Sequence, residues 1–464
     1  MNELVQTPIG RLPKQWTIKS LVETTTKIQD GTHFSPQSKD GPRLYVTSKN
    51  IKFGRLDLSD CERISQKEHD AIYVRCDVRL GDVLLTKDGA NTGNACLNTL
   101  NEPFSLLSSV AFLRTDEAVT HGGFILQYLL SPIGQRRLKD LMSGNAIPRL
   151  TLEKIKAFKT PVPPLPTQQR IARILQTVDR AMEKTEALIE KNQQIKAGLM
   201  HDRFTRGLWT QEELDRGDHQ GTPAESTAKV GQLRPSRQDA PHIYQETTIG
   251  WIPKTWGVVE LGQVAEICSG VTLGTKATSE RNLSVPYLRV ANVQDGYLDL
   301  SEVKEIPVSE GVLRKLRLQS GDVLMNEGGD FDKLGRGTVW EGEIDPCIHQ
   351  NHVFRVRVNK SKVIPYFLAF WSQSNFGKKY FILSSKQSTN LASINSSQLH
   401  RFPIASPTTS EQFRIEERIE AVNRRIRTLS NELNKLQEQK AGLMHDLLTG
   451  KVPVILDSEE PADA

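Results

Sequence analysis

Cysteine is scarce in this chain and badly placed for pairing: of 464 residues only Cys61, Cys76, Cys96, Cys268 and Cys347 are cysteine. The count is odd and no two stand in C-x-x-C spacing, which argues against a disulfide framework or a zinc site and for a reducing compartment. No apolar run approaches the roughly 18 residues a membrane span requires. The opening Met1-Asn2-Glu3-Leu4 lacks a basic segment followed by an apolar one, so no secretory signal is expected and a cytoplasmic location is. A strong excess of one charge is also missing. The formal net charge is +5, which permits a nucleic-acid partner without selecting one. The phosphate-loop pattern is absent too: Thr449-Gly450-Lys451-Val452 lacks both the leading glycine and the hydroxyl residue after lysine. His349 and His352 have no neighbouring cysteine ligand, so a structural or contact role is expected there and no metal site is assigned.

What is present is size and repetition. Hydrophobic residues make up 37% and charged residues 25% of the chain, a mix typical of globular domains, and the length is too great for one core. The run Thr7-Pro8-Ile9-Gly10-Arg11-Leu12-Pro13-Lys14-Gln15-Trp16 returns as Thr247-Thr248-Ile249-Gly250-Trp251-Ile252-Pro253-Lys254-Thr255-Trp256. Asn50 to Ser59 is echoed by Asn292 to Ser301, and Gly81-Asp82-Val83-Leu84 by Gly321-Asp322-Val323-Leu324. Lys196-Ala197-Gly198-Leu199-Met200-His201-Asp202 recurs identically as Lys440 to Asp446. Four echoes in one order, each about 240 residues apart, make the chain two copies of one unit; two long copies are not a solenoid.

Each copy divides in the same way. A short head is followed by a region of brief apolar runs broken by Gly, Pro, Asn and Asp, read as β-rich with a few helices. Val83-Leu84-Leu85 and Val353 to Val358 read as strands, with Arg355 and Arg357 on a solvent face. Gly123 to Leu130 and Pro365 to Trp371 read as matching helices. Prolines 161, 163, 164 and 166 close the first region, and a long periodic stretch follows. Its apolar stripe is Ile171, Leu175, Val178, Met182, Ile189 and Leu199, with Thr185 and Asn192 as polar interruptions. In copy two the stripe is Ile415, Ile419, Val422, Ile426, Leu429, Leu433, Leu436 and Leu443. Steps of four and three form the seam of a coiled coil. The expected divisions are a domain over 1–166, a helix over 167–208, a linker over 209–246, a second domain over 247–409, a second helix over 410–450, and a tail over 451–464. The fold class is α+β: two mixed α/β domains joined by two long antiparallel coiled-coil helices.

Heads and helices match well between the copies while the interiors diverge, as expected if one scaffold carries two different recognition surfaces. The sequence resembles the specificity subunits of type I restriction-modification enzymes over nearly its whole length. The residues that carry the resemblance are the head from Ile9 to Trp16, the loop Asp30-Gly31-Thr32-His33-Phe34-Ser35-Pro36, and Gly81 to Leu84. To these are added Pro161 to Gln169 and the run from Lys440 through Leu447-Leu448-Thr449-Gly450-Lys451-Val452. The resemblance implies that each interior is a target-recognition domain reading one half of a split site in double-stranded DNA. It implies helices that set the unread spacer and dock two adenine-N6 methyltransferase subunits. Restriction subunits would join them for ATP-dependent cleavage. S-adenosylmethionine, ATP and Mg would serve those partners and not this chain, which lacks the Asn/Asp-Pro-Pro-aromatic motif of adenine methylation. No catalytic residue is therefore expected.

Base edges are read by Arg, Lys, Asn, Gln and hydroxyl side chains, and phosphates are held by Lys and Arg. On residue type, the nominated DNA contacts are Thr32, His33, Lys49, Asn50, Lys52 and Lys87 in copy one. In copy two they are Arg289, Asn292, Lys333 and Arg336. For each, a role in a turn or on a solvated surface is the plain alternative. Two other functions stay open on the sequence: a stand-alone DNA-binding regulator, and a coiled-coil scaffold that binds only protein.

Overall fold

The computed structural model describes residues 3–142, 148–272, 283–329, 334–387 and 392–456. The chain forms two compact units. Unit one comprises Met1–Leu188 and Leu429–Ala464, and unit two comprises Ile189–Thr428.

In unit one a head hairpin, Leu4–Thr7 with Gly10–Pro13, precedes an antiparallel four-stranded sheet. Its strands run in the order Thr25–Asp30, Val110–Thr115, Val83–Thr86, Ala95–Leu97. The central strand Val83-Leu84-Leu85-Thr86 is buried throughout, so it has two apolar faces. Val83 and Leu85 pack with Phe124, Ile125 and Leu129 of the helix Gly122–Leu130. Leu84 faces the other way, onto Cys96, Leu106 and Phe112. A smaller sheet, Glu62–Ile64, Arg43–Val46 and Ser105–Leu106, ends in a parallel pairing of Tyr45 with Ser105.

Unit two repeats this plan. The strands Ala265–Ser269, Val353–Val358, Val323–Asn326 and Gly337–Val339 follow the same order. Val323 and Met325 pack against Phe367, Phe370 and Trp371 of the helix Pro365–Gln373, while Leu324 turns to Leu288 and Trp340. The expected strands and both matching helices are thus in place. Arg355 is not on a solvent face, and Arg357 is only partly exposed. Arg355 is buried and bonds Glu266, and Arg357 bonds the buried Asp322. Alternation placed both guanidiniums on one side of the strand, where each is taken up by a protein carboxylate.

The third echo has a physical meaning here. Asp82 and Asp322 are buried, and each accepts an arginine from the neighbouring strand, Arg114 at 2.9 Å and Arg357 at 2.7 Å. Each also accepts the backbone N–H three residues before it, of Arg79 and Gln319.

The first long helix spans Leu165–Arg206 and the second Thr409–Leu448. Pro166 lies in the first turn, where its missing N–H is no loss. The helices start from matching anchors. Gln168 and Gln412 are fully buried, and their amides are spent on the domain beside them. Gln168 accepts from Thr120 and His121 and donates to Val119 and Pro163. Gln412 accepts from Ile364 and donates to Lys362 and Pro407.

Within unit one, Ile171, Ala172 and Leu175 from the start of the first long helix pack with Met444, Leu447 and Leu448 from the end of the second. Within unit two, Met200, Phe204 and Leu208 pack with Ile415 and Ile419. Start meets end in both cases, so the pairing is antiparallel. Every expected seam residue is buried or half-buried and none is exposed. Thr185 sits buried on the seam because its hydroxyl donates to the Ala181 carbonyl one turn back.

The segment 209–246 joins the copies, yet it is ordered and packed. It carries a capped helix, Gln211–Arg216, and the fully buried Arg234. The Arg234 guanidinium reaches Glu213 at 2.6 Å and Glu411 at 2.7 Å. Glu411 also accepts the Trp256 indole N–H and the Leu208 backbone N–H. Burial pushes the Glu213 carboxyl up, but Arg234 and the surrounding hydrogen bonds outweigh it and hold the group below the usual carboxylate range.

Candidate nucleic-acid interface

In unit one the loop after the strand Thr25–Asp30 is fixed before it reaches the surface. A Cβ on Gly31 would lie 1.9 Å from the Leu106 carbonyl oxygen, so only glycine lets the two backbones pass. Thr32 pairs with Leu107, and its hydroxyl accepts the Phe34 backbone N–H at 3.1 Å. Thr32 itself is buried and acts as part of the loop's frame. Two further loops converge here. Leu150 donates its N–H to the Lys87 carbonyl, and Asp88 bridges to Arg149.

These loops bring six charged or titratable side chains together. Asp30 is buried and receives Arg75 at 2.9 Å, Lys87 at 3.5 Å and His33 at 3.6 Å. Asp88 receives Lys87 at 3.2 Å and Arg149 at 3.2 Å. Lys87 is enclosed, with 3% of its side chain exposed, whereas Arg75, Arg149 and His33 are each more than half exposed. Lys87 is therefore a strut beneath the cluster, and the two outer guanidiniums and the His33 ring face solvent.

The remaining nominees of copy one fall elsewhere. Asn50 is buried; its carbonyl oxygen accepts the Thr47 N–H and its amide donates to the Asp57 carbonyl. That is the work of a turn, closed by Gly54 at φ +88°. Lys52 stands 3.8 Å from Asp57 and lines a cleft shared with Arg55, Glu183 and Glu186 of the first long helix. Lys49 is exposed.

Unit two uses the same frame with other chemistry. A Cβ on Gly270 would again lie 1.9 Å from a carbonyl, that of His349, and Val271 pairs with Gln350. Asn292 repeats the role of Asn50, accepting from Arg289 and donating to Asp299 and Glu302, with Gly296 at φ +84°. Both asparagines thus take the plain alternative named for them, a place in a turn, with their amides bonded to backbone groups of the same loop. Arg289 is largely covered and donates to the Glu302 carbonyl. Arg336 is half-buried beside the strand Gly337–Val339, and its carbonyl accepts the Asn326 N–H. Lys333 lies outside the described residues.

One contrast is sharp. Lys87 donates its backbone N–H to the Ser109 carbonyl, and Glu327 donates its own to the His352 carbonyl, so the two residues hold the same place in their frames. Copy one has a cation there, held between carboxylates. Copy two has a carboxylate, 2.6 Å from the His352 ring. His349, beneath it, is fully buried with Nδ1 2.6 Å from the Val353 carbonyl, and burial pushes its pKa down to about 4. Among the described residues no group of His, Cys, Asp and Glu is arranged to hold a metal, the five cysteines are free, and no helix is long and apolar enough to cross a membrane.

Residue type alone singled out neither Arg75 nor Arg149, and it named Phe34 only as part of the Asp30–Pro36 loop. Phe34 is 81% exposed, and its signal was an aromatic among polar loop residues. The arginines had none, since sequence does not show which distant loops meet.

Residues 47–196 and 253–438 match the family described as type I restriction modification DNA specificity domain. The chain belongs to this family. Its fold class agrees with the crystal structure of a type I restriction-modification S subunit from M. genitalium, with a TM-score of 0.57 at 15% identity over 95% of this chain and 98% of that one. The type I restriction enzyme MjaVIII specificity subunit of Methanocaldococcus jannaschii is 26% identical over 81% of this chain and 80% of its own length. The EcoKI specificity subunit of Escherichia coli K12 is 21% identical over 95% and 89%. Against the putative MjaX specificity subunit of M. jannaschii identity is 27%, and there the match spans about half of each chain, 44% and 48%.

Proposed function

We propose that this specificity-family chain reads a two-part site in double-stranded DNA, each domain reading one half. The observation that carries this reading is the pairing of one frame with two chemistries. Gly31 and Gly270, Asn50 and Asn292, and Asp82 and Asp322 hold matching loops, while Lys87 is replaced by Glu327 at the same station. Duplication that only drifted has no reason to keep the frame and rebuild the charged cluster it supports, from a lysine held between carboxylates to a glutamate beside a histidine. The outer guanidiniums of Arg75 and Arg149 suit phosphate contact, and the exposed His33 ring lies beside Asp30 with them.

In this reading the long helices fix the separation of the half-sites. The 42 residues of the first correspond to roughly 60 Å at 1.5 Å per residue, about two turns of duplex. They also dock two adenine-N6 methyltransferase subunits, which use S-adenosylmethionine, and restriction subunits join with ATP and Mg. The chain supplies selectivity and no chemistry of its own, and it works in the cytoplasm.

The test is a domain exchange in cells that carry the partner subunits. Replacing residues 20–144 with the equivalent region of a relative, then mapping methylated adenines, is expected to change one half of the motif and leave the other. Simultaneous change of both halves defeats the reading. Methylation by the purified chain alone defeats the assignment of chemistry to partners.

A further inference from the structure

The Asp30–Pro36 loop is tied down where it leaves the sheet and sets one apolar side chain, Phe34, between the exposed His33 and Ser35. Gly31 passes against the Leu106 carbonyl, Ser108 donates its N–H to the Thr32 carbonyl, and the Thr32 hydroxyl takes the Phe34 N–H. These bonds fix the backbone that carries Phe34, a residue 81% exposed. A single exposed apolar residue is ordinary. This one follows His33 in a loop whose base is held by Arg75, whose guanidinium bonds both Asp30 and the Gly31 carbonyl.

We propose that Phe34 is a specificity-determining residue of the first recognition domain, packing against the 5-methyl group of a thymine in the major groove. The inference rests on the DNA-reading function proposed above. A phenyl ring has no donor or acceptor, so it cannot read a base by hydrogen bonding. The apolar mark on the major-groove edge of duplex DNA is the thymine methyl; the minor groove carries none. Arg75 and Arg149 around the loop supply the phosphate contacts that hold such a ring in register. A half-site that contains a methylatable adenine necessarily contains a thymine opposite it.

The experiment uses the full chain assembled with its methyltransferase subunits and duplexes carrying the methylated motif. Each thymine of the first half-site is replaced in turn by uracil, which removes only the methyl group. Wild-type binding is expected to weaken about three- to tenfold at one position. Phe34→Ala is expected to bind the unmodified duplex with that same weakened affinity and to ignore the uracil at that position. Its melting temperature should not change, because the ring contributes little to the core. Selective wild-type binding that tolerates every uracil overturns the inference while leaving DNA reading intact. So does loss of methyltransferase assembly in Phe34→Ala, which makes the ring a protein contact, or equal loss by the variant on all duplexes with bent DNA, which makes it a wedge. Wild-type binding without any sequence preference overturns the function and this inference together.

Discussion

The Lys440 ammonium lies 2.5 Å from a carboxylate oxygen of Asp179, joining the end of the second long helix to the first half of the other within unit one. Asp179 also accepts the Gln127 amide at 2.6 Å, which ties the pair to the helix Gly122–Leu130. Copy two keeps the lysine and changes its surroundings. Lys196 reaches Gln373 at 3.5 Å and lies over the Phe370 ring, while Asn423 stands where copy one has Asp179. Burial pushes the Lys196 ammonium below its ordinary value. Lys440→Met should destabilise unit one by about 1–3 kcal/mol, because it leaves a partly enclosed carboxylate without its cation. Asp179→Asn should cost less, since the amide oxygen still accepts from Lys440. Urea unfolding followed by hydrogen exchange in unit one checks the order; equal costs contradict it.

Arg234 bridges two buried carboxylates, so its removal should be severe. Arg234→Met leaves Glu213 and Glu411 uncompensated, at a cost of about 3–5 kcal/mol at neutral pH. The pH dependence has opposite signs in the two proteins. In the wild type the Glu213 carboxyl is held below its unfolded value, so its contribution is full above about pH 4.5 and is lost as pH falls through the folded value. In Arg234→Met the same carboxyl is stranded by burial, and acidification that protonates it should relieve part of the damage. Unfolding midpoints of both proteins between pH 4 and 8 test this. Parallel curves would mean that the triad is not electrostatically coupled.

His349 should impose a separate pH limit on unit two. Its folded pKa is depressed to about 4 by burial, against about 6.5 when unfolded. The unfolded chain therefore binds more protons between those values, and stability falls as pH drops from about 6.5 toward 4. Replacing His349 by Leu should flatten this slope while lowering stability at pH 7, because the Val353 carbonyl loses its partner. A slope unchanged in the variant would place the titrating group elsewhere.

Repetition made the architecture readable from sequence, because a frame used twice must keep its turn locks, buried pairs and close-passing glycines. Periodicity found the helices and most of the seam. It passed over Lys440, since a lysine interrupts an apolar stripe and nothing local shows that Asp179 waits opposite. It also favoured Leu443, half-buried, over Met444 and Leu447, which are buried more deeply. The interface was harder to read. Asn50, Asn292 and Lys87 have the side chains that read DNA, but the fold spends them on turns and on Asp30 and Asp88. Whether an amide is free depends on its backbone neighbours, and residue type does not carry that information. Arg234 was hidden for the opposite reason, in a stretch whose low apolar content reads as solvent-exposed.

The seam supplies the last prediction. Leu429 retains 2% of its exposure, Leu433 is half-buried, and Glu432 is exposed on the same turn. A charge at Leu429 would be buried without a partner, which costs several kcal/mol before relaxation, a large share of the stability of an ordinary domain. Leu433→Glu should cost less than Leu429→Glu, because its side chain already reaches water. Glu432→Lys should stay within about 0.5 kcal/mol, as surface changes do. If the helices hold two readers at a fixed separation, disrupting the seam uncouples them without altering either reading surface. Leu429→Glu, assembled with the methyltransferase subunits, should therefore bind a duplex containing both half-sites little better than one containing a single half-site. Glu432→Lys should keep the full difference, and Leu433→Glu should fall between. The measurement is the ratio of full-site to half-site affinity for the three variants. The same ratio in all three, at the wild-type value, would show that the spacing of the readers does not depend on this stripe.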